Sequence, residues 1–132
     1  MIKVSVIYPS KPGVRFDHDY YRTKHLPLIK RRMGAALKYY AIDRGFADKD
    51  GKPLGVYVAM CHLLCESLDA YQSSFGPHAQ EIRADVANFT DVVSIHQISE
   101  VVVENSAKDE TEAPGIPIDR GSSPYRSDQV IR

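Results

Sequence analysis

Tryptophan is absent from the 132-residue chain, and cysteine occurs only twice. Two cysteines exclude the dense disulfide framework with which small secreted domains compensate for a thin core. Both fall in YVAMCHLLC, which reads as a strand. Four strand steps of about 3.3 Å would hold Cys61 and Cys65 roughly 13 Å apart, beyond the ~4.4–6.8 Å that a disulfide spans. Buried free thiols in a reducing, cytoplasmic setting are expected. A net charge is missing too: 17 basic side chains cancel 17 acidic ones, so no whole-chain field draws the protein to nucleic acid or an anionic membrane. The one basic run, Lys30-Arg31-Arg32, suits a solvated helix C-terminus, where cations meet the negative dipole end. No apolar run approaches the roughly 20 residues that cross a bilayer, and MIKVSVIYPSKPG reaches Pro9 before a signal-peptide core forms. Nucleotide-loop motifs, HExxH, HxxxH and CxxC spacings and the nucleophile elbow are likewise missing.

Clear alternation is what the chain does have. Ile2, Val4, Val6 and Tyr8 alternate with Lys3 and Ser5, predicting a half-buried strand stopped by Pro9 and the Pro12-Gly13 turn. Asp17 is a good N-cap, and Tyr20, Tyr21, Lys24, Leu28 and Ile29 follow at helical spacing toward Met33-Gly34, with a bend expected at Pro27. Strands are predicted over 37–46 and 54–65, with the turn sequence Ala47-Asp48-Lys49-Asp50-Gly51 between them. Ser67 caps a second helix through Leu68, Tyr71 and Phe75; Pro77 restarts it, with Ala79, Ile82 and Val86 on the buried side. A long final strand is predicted over 92–103. The order βαββαβ is the split arrangement of ferredoxin-like α+β folds. Residues 1–104 form the domain, and 105–132 are a polar, proline-containing tail that would not fold alone. Its apolar anchors Ile116, Ile118, Tyr125, Val130 and Ile131 are expected to dock on the assembled protein.

With order and motifs placed, MIKVSVIYPSKPGVRFDHDYYRTKHLPL, YVAMCHLLC with FGPHAQEI, and NFTDVVSIHQISEVVV together resemble the EthD family of the dimeric α/β-barrel superfamily. That resemblance implies a twisted antiparallel sheet with two helices on one face. The other face would pack on a second subunit to form a homodimer, as exposed alternating strands also suggest. It further implies a pocket between sheet and helices. In the wider superfamily this pocket serves cofactor-free oxygenases, lactone isomerases, cyclases and some haem enzymes, and the family's name comes from ether degradation, a form of small-molecule catabolism.

His25 follows Tyr21 by four residues and Asp17 by eight, so all three share a helical face with Leu28. The pattern alone leaves open a half-buried structural histidine or a group that exchanges a proton near neutral pH; the resemblance strengthens the second, with Tyr21 as partner. His78, just after Pro77, sits where free N–H groups gather at a helix start, or simply faces solvent. His62 shares a strand face with Val58, Met60 and Leu64, and His96 neighbours Ile95; each enters either a pocket or the barrel interior. Tyr8, Asn88 and Thr90 are candidate hydrogen-bond donors for a ligand, with turn capping the alternative for the last two. The trio Asp17-His18-Asp19 makes no metal site, because consecutive side chains diverge. The expectation is a small enzyme that needs no cofactor and acts by proton transfer on a small hydrophobic, oxygen-bearing ligand, as an isomerase, cyclase, oxygenase or other oxidoreductase. His25, His78 and Tyr21 would be catalytic, and Tyr8, His62, Asn88 and Thr90 would bind substrate. Haem chemistry, and a non-catalytic binding or accessory role beside an oxygenase, are the alternatives.

Overall fold

The computed structural model describes residues 1–106, and the expected docking of the tail lies outside them. Four strands, β1 (Ile2–Pro9), β2 (Tyr39–Arg44), β3 (Tyr57–Cys65) and β4 (Ile95–Glu100), form one sheet in the order β2-β3-β1-β4. Every neighbouring pair is antiparallel. The fold is therefore ferredoxin-like α+β, with each helical arm crossing between non-adjacent strands.

The first arm, residues 18–36, is segmented. Asp17 caps α1 (His18–Tyr20) by accepting the Tyr20 N–H at 3.0 Å. A π-helical turn, Tyr21–His25, leads into α2 (Leu26–Met33). The sequence places a bend at Pro27; the irregularity falls one turn earlier, where the Leu26 N–H reaches back to the Tyr21 carbonyl. Proline brings no N–H to the next turn, so the backbone just before it is free to adopt the wider turn. The extra residue also resets the helical phase. Leu26, Ile29 and Met33 are buried, whereas Leu28, expected to point at the sheet, is half-buried. The basic run ends α2, and Lys30 Nζ donates to the Gly34 and Leu37 carbonyls at 2.8 Å each. Gly34, at φ +61, turns the chain out of the helix.

Ser67 caps the second arm by accepting the Ala70 N–H at 3.0 Å. This arm comprises α3 (Leu68–Phe75), a 3-10 turn (Gly76–His78) around Pro77, α4 (Ala79–Asp85) and a last 3-10 turn (Val86–Asn88). Both arms cover the sheet face that presents Val4 and Tyr8 of β1 and Cys61, Leu63 and Cys65 of β3. The two cysteines are free and buried. No helix covers the opposite face among the described residues.

The last strand is shorter than its apolar pattern suggests. Its pairing with β1 runs out at Met1, whose carbonyl accepts the Val101 N–H at 3.0 Å, and Val102 and Val103 stay exposed. At its other end, residues 92–94 leave the ladder and two of them, Val93 and Ser94, line a cavity.

Candidate active site

That cavity, of about 280 Å³, lies between the sheet and both helical arms. Val6 and Leu63 floor it, while Ile29, Phe75, Ile82 and Val86 close the sides. The π-helical turn contributes its two buried side chains, Tyr21 and His25.

His25 is 3% exposed and is wedged between rings, stacked on Tyr21 (5.6 Å between centroids, 15° between planes) and tilted against Phe89 at 4.5 Å. Its Nδ1 lies 2.8 Å from Asp85 Oδ2. The other carboxylate oxygen, Oδ1, accepts from the Tyr20 hydroxyl at 2.6 Å and from Asn88 Nδ2 at 2.9 Å. Burial pushes the Asp85 carboxyl up, but the hydrogen bonds from Tyr20, His25 and Asn88 outweigh it and hold it below its ordinary value. Burial lowers the His25 pKa below the usual 6.5, opposed by the hydrogen bond and charge of Asp85. The ring is thus neutral at pH 7, donates Nδ1–H to the carboxylate, and keeps a lone pair on Nε2 for a molecule in the cavity.

Two phenols line the cavity with it. Burial raises the pKa of Tyr8 and of Tyr21 well above the ordinary tyrosine value, so both remain hydrogen-bond donors at any physiological pH. Each is within bonding reach of the other, and Ser94 reaches Tyr8. Burial also pushes the Cys61 thiol up to about 11, with the Tyr21 hydrogen bond opposing, which makes it wall rather than nucleophile. At the rim stand Arg83, Ser94 and His96, with Ser94 Oγ 2.8 Å from His96 Nε2.

The fold brings together His25, Tyr21 and Tyr8. Asn88 stands behind them, on Asp85. His62 lies on the other face, because strand alternation opposes it to Cys61 and Leu63; there it bridges Ser5 Oγ (2.8 Å) and Asp43 Oδ2 (2.9 Å). His78 is half-buried in the 3-10 turn, away from the cavity lining. Thr90 is a turn cap: its hydroxyl donates to the Arg15 carbonyl at 2.6 Å and accepts the Val92 N–H at 3.1 Å. Asp85, Tyr20 and Arg83 are absent from the site residues expected from the sequence. A carboxylate three residues after the buried Ile82 on the same helix face was the available signal for Asp85.

Comparison with known proteins agrees with this architecture. The family profile described as EthD domain matches residues 14–92. The crystal structure of an EthD-like protein from Ralstonia eutropha JMP134 is similar at TM-score 0.73 with 45% identity, over 80% of this chain and 95% of that one. An ethyl tert-butyl ether d (EthD) family protein from Bacillus halodurans C-125 aligns at TM-score 0.56 over 76% of this chain and 97% of its own; at 17% identity the likeness is one of fold. Among curated proteins none matches.

Proposed function

This chain belongs to the EthD family, and from that premise we propose that it is a small enzyme moving a proton on an apolar, oxygen-bearing molecule, with His25 as general base and no resident cofactor. The observation that carries this reading is the buried His25–Asp85 pair at 2.8 Å, opening onto an apolar cavity. A C–H bond beside a substrate carbonyl would break, its electron pair passing into an enolate and its proton to His25 Nε2. Asp85 would hold the imidazole tautomer and stabilise the imidazolium that forms. The Tyr8 and Tyr21 hydroxyls are donors for the developing oxyanion. Return of the proton to another carbon gives isomerisation; attack of the enolate on an electrophilic carbon of the same molecule gives cyclisation, and its reaction with dioxygen as oxidant gives oxygenation.

The cavity volume favours this reading over haem. Pockets for drug-sized ligands run about 300–1,000 Å³, and a porphyrin exceeds most such ligands, while this space is about 280 Å³. A purified protein without a Soret band is the expected result.

The test of the proton-transfer reading is deuterium uptake by a small aryl ketone, phenylacetone, in D2O, followed by proton NMR. The wild type should accelerate exchange beside the carbonyl, and His25→Ala should return it to the buffer rate. No acceleration while the ketone still shifts the His25 ring resonances would replace catalysis with the binding-protein alternative.

The same proposal includes a homodimer. Tyr39 and Ile95 project from the uncovered sheet face and are 60% and 51% exposed, and a second copy of that face would bury them. Light scattering should give about twice 14.8 kDa at micromolar concentration; a monomer there would refute it.

A further inference from the structure

Five ion pairs occur among the described residues, engaging Asp19, Asp43, Glu66, Glu81 and Asp85. Arg83 is in none of them, although it stands on α4 between two of those carboxylates. Glu81, two residues before it, is held by Arg32 Nε at 2.7 Å. Asp85, two residues after it, is held by His25, Tyr20 and Asn88. Both carboxylates of α4 are thus committed elsewhere, and the Arg83 guanidinium is left lining the rim of a mostly apolar cavity. His96 lines the same rim, close enough for Arg83 to help lower its pKa, after burial. Ser94, hydrogen-bonded to His96 at 2.8 Å, adds a hydroxyl. A cation without a counter-ion among the described residues, beside a neutral imidazole and a hydroxyl, makes an acceptor-seeking corner in a cavity otherwise walled by hydrocarbon.

The geometry points to an anion subsite at this rim: Arg83, with Ser94 and His96, takes the carboxylate of a small apolar or aromatic acid whose body fills the cavity toward His25. This rests on the reading of the cavity as the proton-transfer site and adds the substrate class. A ligand so held has its charged end at the mouth, next to water, and its apolar body against Val6, Ile29 and Leu63, where burial is favourable. An acid with a carbonyl along its chain would place the carbon to be deprotonated nearer His25 than its carboxylate.

The test uses two isosteric probes, phenylacetate and phenylacetamide, titrated into the full-length protein by NMR and calorimetry. A charged hydrogen bond to arginine strengthens binding by about tenfold or more over a neutral one. Phenylacetate should therefore bind the wild type at least about tenfold more tightly, with a preference that shrinks as salt rises. Arg83→Gln should bring the two affinities together, chiefly by weakening phenylacetate, and Arg83→Lys should restore part of the difference. Equal affinities in the wild type, a preference that survives Arg83→Gln, or no binding of either probe at millimolar concentration would each overturn the subsite. Arg83-dependent phenylacetate binding in a protein that fails the deuterium-exchange test would keep the subsite and remove the catalytic reading, so the two ideas fail separately.

Discussion

Two histidine–aspartate pairs occupy the two faces of one sheet, matched almost to the tenth of an ångström: 2.8 Å for His25 and Asp85, 2.9 Å for His62 and Asp43. Their surroundings differ. The side chains of the first pair are 4% and 15% exposed, those of the second 23% and 54%. His25 keeps one ring nitrogen for the cavity, whereas both nitrogens of His62 are engaged, one by Ser5 Oγ and one by Asp43. Ser5, His62 and Asp43 have the residue types of a hydrolytic triad, yet neither His62 nor Asp43 lines the cavity. A shared geometry therefore does not make a shared role. Dry surroundings and an uncommitted nitrogen are what give an imidazole chemistry to do.

The widest separation between the two faces should appear in rate. His25→Ala is expected to lose about 10²–10⁴-fold in deuterium exchange, the range a general base contributes. His62→Ala should exchange at the wild-type rate. The reverse outcome would move the chemistry to the uncovered face.

Stability should divide the faces next. Leu63, on the helix-covered face, is 1% exposed, and Leu63→Ala should cost about 2–5 kcal/mol through lost burial and a cavity. Tyr39→Ala on the other face should stay within about 0.5 kcal/mol for a monomer, while weakening the proposed dimer in light scattering. Equal losses in urea titrations of dilute protein would mean that both faces are packed alike.

Acid should sharpen the contrast further. Burial holds the His25 pKa below 6.5, so the unfolded chain takes up a proton that the native state resists. The stability contributed by neutral His25 is present above about pH 6.5 and is lost as pH falls through the interval below it. Asp85, held below 3.8, loses its contribution only in more acid solution. His25→Ala should flatten urea-derived stability between about pH 7 and the acid side of 6.5. Exchange activity should fall on the same acid side, as Nε2 becomes protonated.

The smallest expected effect is that of Asn88→Ala. It removes one of the bonds to Asp85 Oδ1 and leaves the 2.6 Å bond from Tyr20. Loss of one such bond is worth about 1 kcal/mol, or a few-fold in exchange rate. A loss as large as that of His25→Ala would make Asn88 indispensable to the orientation of the pair.

Much of the frame was legible in the order of residues. The period-2 alternation of β1, the Asp17 and Ser67 caps and the restart at Pro77 are local signals, because each depends on neighbours a few residues away. The helical placement of Tyr21 and His25 was legible for the same reason, although the π-helical turn and the burial of Leu26 in place of Leu28 were not. A helix wheel assumes one constant rotation per residue, and that turn breaks it.

The sequence by itself thus determined the order of the main elements and the stretch that supplies the buried histidine of the cavity. The sheet decided the rest: that His62 turns away and His96 turns in, that Asp85 arrives from a helix 60 positions downstream to hold Nδ1, and that Arg83 has no carboxylate partner among the described residues. Strand alternation says only that neighbours lie on opposite faces. Which face receives the helices, and which distant side chains meet there, is set by packing between segments far apart in the chain.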